Sequence, residues 1–598
     1  MTEVRSPLQG TVVRVLPVGS EVAAGAEVVV VESMKMEHGI EAPEAAVVAE
    51  VKVAEGDLVQ PGDVLAVLEA RAEPAAPEGD GGASEPGERP ELAEVRARHA
   101  VGLDEHRPEA VARRRRTGQR TARENVADLL DPGSFVEYGP LVIAAQRRRR
   151  PVEELIERTP ADGLVGGIGT VGGRPVVAMS YDYTVLAGTQ GLQNHRKKDR
   201  LFELAERLRL PVVFFTEGGG GRPGDTDGTG VSGLDTLAFH LFAKLSGLVP
   251  LVGIASGRCF AGNAAILGCC DVVIATEGTN IGMGGPAMVE GGGLGTYPPE
   301  AIGPLDVQVP NGVVDVLAPD EAAAVAVAKQ YLSYFAGGVD DWEAPDPDAA
   351  RQAVPESRLK IYDVRSAIEA IADVGSVLEL RSAFGPGMVT ALARVEGRPL
   401  GIVANNPVHL AGAIDADGAD KAARFLQLCD AHDLPVLFLC DTPGIMVGPE
   451  AEQTALVRHV SRLFVTGANL TVPTGTIILR KGYGLGAQAM AGGTFKAPLF
   501  CVAWPTGEVG GMGLEGAVRL GYRKELEAIA DPDERERTFQ EMVARMYEHG
   551  KALNAASHFE IDDVIDPADS RRWITRTFAA AAPPAPRTGK KRPFVDTW

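Results

Sequence analysis

The chain has 598 residues, 45% of them hydrophobic and 23% charged, which is too long for a single core and ordinary for a folded multidomain protein. Its 81 acidic against 59 basic residues leave a net charge of −22, a balance that excludes nucleic acid as the main partner. No apolar run approaches the ~20 residues of a membrane helix, and Met1-Thr2-Glu3-Val4-Arg5-Ser6 has no secretory pattern, so a cytoplasmic protein without a membrane span is expected.

Residues 1–70 are expected to form a small all-β domain. Short Val-rich runs (Gly10-Thr11-Val12-Val13, 26–31, 46–53 and 63–68) are bounded by Gly and Pro, the pattern of strands and turns. The two halves repeat: Gly19 and Gly56, Gly25 and Gly62, and Val22 and Val59 each lie 37 residues apart. Two similar half-sheets therefore flank one turn, and Lys35 sits at that turn in Glu32-Ser33-Met34-Lys35-Met36-Glu37. A lysine between Met34 and Met36 resembles the attachment sequence of a biotin carrier domain. A lipoyl carrier shares the architecture but usually has Asp-Lys-Ala at the turn.

Residues 71–90 are Pro, Gly, Ala, Glu and Ser with almost no apolar side chains, the composition of a flexible linker. Twenty such residues span roughly 25 Å as coil and at most about 70 Å extended. A tether of that reach holds a carrier near a second site at high effective concentration.

The remainder is expected to be α/β and duplicated. Gly173-Arg174-Pro175 returns as Gly397-Arg398-Pro399, and Pro211-Val212 as Pro435-Val436, both 224 residues later. Leu201, Leu204, Ala205 and Leu208 keep a helical period, and Phe425, Leu428 and Cys429 follow at the same offset. Each helix leads into an apolar strand, Val212-Val213-Phe214-Phe215 or Val436-Leu437-Phe438-Leu439, as in strand–helix crossover units. The same offset carries Ala261 and Gly262 onto Leu485 and Gly486, both in small-residue turns before runs of helical length. Such turns leave backbone N–H groups unpaired at the positive end of a helix. They can stabilise an oxyanion, at about 3 kcal/mol for one donor. Tight helix–strand packing is the plainer use of the same glycines. The six cysteines (Cys259, Cys269, Cys270, Cys429, Cys440 and Cys501) lie in apolar or glycine-rich stretches without ligand spacing, so reduced core thiols and no metal are expected.

Residues 91–598 resemble the carboxyltransferase (beta-type) component of biotin-dependent acyl-CoA carboxylases. The carrying motifs are Thr121-Ala122-Arg123-Glu124-Asn125, Asp162-Gly163-Leu164-Val165-Gly166-Gly167, Arg480-Lys481-Gly482-Tyr483-Gly484, Ala503-Trp504-Pro505-Thr506-Gly507-Glu508, and Met512-Gly513-Leu514-Glu515-Gly516. The resemblance implies two tandem crotonase-like subdomains, 91–345 and 346–598, and a homo-hexamer built as a trimer of dimers. It implies covalent biotin on Lys35, carboxyl transfer from carboxybiotin to the α carbon of an acyl-CoA, and a malonyl-CoA-type product. Ala261 and Gly262 would hold the thioester oxygen, and Leu485 and Gly486 the biotin carbonyl oxygen. The cofactor would supply the base. A separate biotin carboxylase would use ATP, Mg and bicarbonate, and a biotin protein ligase would load Lys35. Two positions depart from the family's commoner glycine, Leu485 and Asn263, and backbone donation survives both. Gln488 stands where acetyl- and propionyl-CoA enzymes often carry an acid, so it is a candidate for substrate selectivity.

The arginine runs 113–116 and 147–150 are expected to be a solvated face or a subunit contact, with CoA phosphates as the alternative. His195 is expected to be structural. The glycine-rich 218–221 and 282–295 are open loops that either shape an acyl pocket or are merely flexible. Two other functions compete: a biotin-dependent decarboxylase subunit of a membrane sodium pump, and a biotinylated scaffold with an inactive transferase fold.

Overall fold

The computed structural model describes residues 1–71, 89–228, 230, 233–584 and 587–598. The core of the expected linker, 72–88, lies outside them. The chain divides into two compact units, Met1–Pro90 and Glu91–Trp598.

The first unit has eight strands: β1 (Thr2–Arg5), β2 (Gly10–Val15), β3 (Glu21–Val22), β4 (Glu27–Ser33), β5 (Met36–Glu41), β6 (Ala46–Val51), β7 (Leu58–Val59) and β8 (Val64–Ala70). They form two four-stranded sheets, ordered β1-β8-β6-β3 and β5-β4-β2-β7. Replacing each strand of one sheet by its counterpart in the other half of the sequence reproduces the other order, so the 37-residue repeat is a real duplication. Strands β2 and β6 share one alternating burial pattern, as half-buried strands of period two require. Val12, Val31, Val48, Leu65 and Leu68 meet in the core between the sheets. Gly19, Gly25, Gly56 and Gly62 hold φ between +80° and +96°, a region open to glycine without steric cost.

The second unit contains two large sheets. The first runs Val316–Ala318, Val272–Thr276, Leu251–Ala255, Val212–Phe215, Arg174–Tyr181, Leu164–Val171 and Val136–Glu137 in spatial order. The second runs Leu378–Leu380, Met388–Val395, Arg398–Asn405, Val436–Thr442, Thr474–Tyr483, Phe500–Ala503 and Asp563–Val564, with Glu508–Gly510 paired to the end of Thr474–Tyr483. Each begins with an antiparallel hairpin and continues in parallel, the order expected when helices cross over between strands. The crossover helices Leu192–Leu208 and Ala416–Ala431 bury Leu201, Leu204 and Ala205, and Phe425, Leu428 and Cys429. Leu208 does not join that face and is 48% exposed, because the helix ends at Arg209 in the left-handed conformation. One hydrophobic cluster runs through both sheets, from Val213 and Ile254 through Tyr331 to Phe438 and Ile478.

The offset between the copies changes along the chain. Val212 pairs with Leu251, but Val436 pairs with Thr474, so at the third parallel strand the repeat is 223 rather than 224. The loop before that strand is one residue shorter in the second copy.

Two tight glycines anchor the copies. Gly188 (φ +61°) would place a Cβ 2.7 Å from the Glu217 carbonyl oxygen, and Gly412 (φ +86°) one 2.3 Å from that of Asp441. Gly412→Ala should therefore lower the unfolding free energy by more than the about 1–2 kcal/mol of left-handed strain alone. Gly516, exposed in the helix Leu514–Gly521 with nothing within 4 Å of a Cβ, should give the opposite sign, with Ala adding about 0.5–1 kcal/mol. Equilibrium denaturation of both variants checks the pair.

Candidate active site

Lys35 stands at the tip of the β4–β5 hairpin, where Ser33 pairs with Met36 and only Met34 and Lys35 form the turn. Both have positive φ, +53° and +66°, the mark of a type I′ turn. That turn normally takes Asn-Gly, and left-handed Met and Lys cost about 1–2 kcal/mol each. Strain held at an exposed tip points to function. Met34 is 95% and Met36 66% exposed, so the methionines flank the amine without covering it. The lysine is open to a modifying enzyme and suits covalent attachment of biotin.

In the second unit, the strand Arg258–Phe260 runs into the helix Gly262–Gly268 through Ala261, and Thr474–Tyr483 runs into Gly484–Ala489. Ala261 has φ +51° and Gly484 φ +56°. Phe260 pairs with Gly282 and Tyr483 with Gly510. The turns therefore correspond at 223, with Gly262 matching Leu485 and Asn263 matching Gly486. Ala261 is consequently not a donor in the first turn. Its N–H donates to Gly282 O at 2.9 Å, which uses the hydrogen the sequence reading assigned to an oxyanion. The amides of Gly262 and Asn263, and of Leu485 and Gly486, have no acceptor among the described residues. The helices have seven and six residues, so the free donors matter here rather than a summed dipole.

Asn263 is fully buried. Its Oδ1 accepts from Gln190 Nε2 at 3.0 Å and from Gly220 N at 3.1 Å, and its Nδ2 donates to Gly188 O at 3.4 Å. In the second turn Gly486 lies against backbone, where a Cβ would come 2.7 Å from Gly444 Cα. The segment 218–220 is therefore a packed wall of the first turn and not a loose loop, since a Cβ on Gly218 would strike Gly188 O at 2.3 Å. A third repeated element was overlooked in the sequence. Leu186-Ala187-Gly188 and Leu410-Ala411-Gly412 are identical, 224 apart, and all six residues have positive φ. Ala187 O accepts from Gly219 N at 3.1 Å, so this loop joins the first turn through 218–220. The matched tripeptide was a legible signal.

Gln488 and Leu485 are exposed on the short helix of the second turn. Arg113 and Arg150, one from each arginine run, line a single cavity of about 620 Å³ with Arg107, Arg158 and Leu186. Arg107 pairs with Asp182 at 2.7 Å, and Arg158 with Glu154 at 2.9 Å. Arg113 has no ion-pair partner among the described residues. Glu109 and Glu157 also line the cavity and Arg150 pairs with Glu154, so Arg113 is, among the described residues, the unpaired cation that it offers to a phosphate-bearing ligand. His195 is pushed down to about 3 by burial, with the charges of Lys198 and Arg222 adding to it, so it is neutral and takes no part in acid chemistry. All six cysteines are free thiols.

Two substitutions test the site. Lys35→Arg should remove biotin attachment completely, read by intact mass. Leu485→Pro deletes one free donor at a first-turn position where proline is tolerated. It should cut turnover about 10²-fold or more while Lys35 stays loaded and assembly is unchanged.

The carboxyl transferase domain family matches residues 113–592, and the biotin-requiring enzyme family residues 2–68. The methylmalonyl-CoA carboxyltransferase 12S subunit of Propionibacterium freudenreichii subsp. shermanii is 34% identical over 504 residues, 81% of this chain and 92% of that one. A solved transcarboxylase 12S structure, a hexamer with methylmalonyl-CoA bound, superposes with TM-score 0.71 at 32% identity, covering 83% of this chain and 96% of that one. A single-chain, multi-domain long-chain acyl-CoA carboxylase superposes with TM-score 0.79 at 60% identity over 96% of this chain, which spans 56% of its length. With its strained lysine tip and paired donor turns, the chain belongs to the carboxyltransferase family of biotin-dependent acyl-CoA carboxylases, with a biotin-requiring domain fused ahead of the transferase.

Proposed function

We propose that the chain is the carrier and carboxyltransferase portion of an acyl-CoA carboxylase, moving a carboxyl group from biotin on Lys35 to the α carbon of an acyl-CoA. The observation that carries this reading is the pair of matched turns, each with two free backbone donors, in a chain that also presents Lys35 on a strained tip. The amides of Gly262 and Asn263 hold the thioester oxygen as it gains charge. Those of Leu485 and Gly486 hold the carbonyl oxygen of the biotin ring. Biotin, once attached, brings the carboxyl group and a basic nitrogen, so no side-chain base is needed. Closeness of the two reacting groups in a water-poor site supplies much of the rate.

The arginine cavity beside Leu186 supports a CoA thioester, whose phosphates need cationic partners. Gln488 in place of an acid and the exposed Leu485 favour an acyl chain longer than propionyl, and the 60%-identical relative is described as a long-chain enzyme. The transferase acts as two crotonase-like subdomains, 91–345 and 346–598, in a cytoplasmic homo-hexamer. A biotin protein ligase loads Lys35, and a biotin carboxylase supplies the ATP-, Mg- and bicarbonate-dependent step.

Purification of the full chain from its own cells, with mass spectrometry of what accompanies it, tests the partner. An ATP-grasp biotin carboxylase is expected, and a multispanning membrane protein would overturn the carboxylase reading in favour of a decarboxylase pump. On an acyl-CoA panel from propionyl to palmitoyl, kcat/KM should rise with chain length.

A further inference from the structure

The duplicated fold contains its own control for the first turn. Behind that turn lies Lys198, with no exposed surface. Its Nζ donates to Tyr181 Oη at 3.0 Å and to Gln190 Oε1 at 2.6 Å. Gln190 Nε2 donates to Asn263 Oδ1 at 3.0 Å, and Asn263 carries one of the two free amides. No carboxylate lies within 4 Å of Lys198 among the described residues. A buried ammonium without a carboxylate partner is costly.

The second copy shows that the fold does not need it. Lys198, Gln190 and Asn263 correspond to Ala422, Ile414 and Gly486, by the offsets of 224 and 223 fixed above. Ala422 and Ile414 are buried in the hydrophobic core. The backbone around them is the same: Gln190 N donates to Gly220 O at 2.8 Å, and Ile414 N to Gly444 O at 3.0 Å. Packing alone is thus met by two aliphatic side chains and a glycine. The first copy keeps a charge and two amides at the same places.

The relay has a fixed direction. An ammonium has three donors and no lone pair, so Gln190 must turn Oε1 toward it and Nε2 toward Asn263. Asn263 must then present Oδ1 to Gln190 and Nδ2 to Gly188. The backbone fixes the same direction from the other end, where Gly220 N–H needs Oδ1 and the Gly188 carbonyl needs Nδ2, so a neutral amine would remove the charge and leave the relay in place.

We propose that Lys198, acting through Gln190 and Asn263, is a positioning residue for the acyl side of carboxyl transfer. It puts a positive charge, at the end of a relay that the backbone orients, behind the oxygen that becomes negative when the α carbon loses its proton. The proposal rests on the function proposed above. Burial pushes the Lys198 amine down to about 7, against the pull of Asp199 and Asp162, so its charge is set near neutral pH. The other groups facing this region are His195 on the same helix, Tyr181 on the adjacent strand, Arg222 paired with Asp162, and the thiol of Cys259. The charged form is the active one, so this limb of the rate is lost as pH rises through the Lys198 value.

The test uses the full biotinylated chain and follows acyl-CoA release from the 2-carboxyacyl-CoA of the best panel substrate, with biocytin as acceptor. Lys198→Met should lower kcat at least tenfold, leave KM within twofold, and erase the alkaline limb of kcat. Gln190→Leu keeps the charge and breaks the relay, and should lower kcat at least tenfold whether or not the limb remains, so the test stands if the first variant does not assemble. An unchanged kcat in either variant, or a lowered kcat in Lys198→Met that keeps the wild-type limb, overturns the proposal. Wild-type protein inactive on the whole panel would instead count against the proposed function.

Discussion

The transferase unit depends on one backbone constraint: a strand must end in a residue of positive φ so that the next two amides face outward without acceptors. Ala261 and Gly484 meet it, at φ +51° and +56°. Both follow strands whose last residues pair in parallel with a second short strand, Phe260 with Gly282 and Tyr483 with Gly510. That pairing holds the end of each strand, and the turn swings away from a fixed base. The close approaches of Gly218 to Gly188 and of Gly486 to Gly444 keep the turns from relaxing into ordinary helix starts. Anion-binding chemistry at the carboxyl ends of parallel strands is a general outcome of such topology.

Because the donors are backbone amides, side-chain identity at the turn is only loosely constrained. Leu485 is exposed, so its bulk meets nothing that the turn requires. Asn263 is buried but satisfied at both ends of its amide. Each is a departure from glycine that leaves its own N–H in place. The opposite case is Gly486, where the neighbouring backbone leaves no room for a Cβ.

Both duplications were legible in the sequence because glycines and prolines mark backbone conformations that recur. Gly19 and Gly56 share positive φ, and Pro211 and Pro435 open equivalent strands. The site itself was legible to within one residue. Shortening a loop by one residue leaves no trace in composition, so an offset of 224 taken from anchors before Thr442 was carried past the slip, and Ala261 was assigned a hydrogen bond it does not have free. The Lys198 relay gave no signal, because its residues lie far apart in sequence and mark no turn or period. The repeated Leu-Ala-Gly did, but its left-handed conformation is one that only glycine would advertise.

Part of the backbone strain in the chain lies where chemistry is expected. Met34, Lys35, Leu186, Ala187, Ala261, Leu410 and Ala411 are all non-glycine residues with positive φ. At about 1–2 kcal/mol each they would dissolve in an isolated peptide. The β4–β5 ladder holds the first two, and the packed loops on either side of Gly188 and Gly412 hold the Leu-Ala pairs. The carrier can hold its strain locally because a two-residue hairpin is self-contained. The transferase cannot, since each strained turn leans on a loop from a different strand, Gly218–Asn263 in one copy and Gly444–Gly486 in the other. A carrier tip can therefore be built in about seventy residues, whereas the donor turns need the surrounding sheets to hold them.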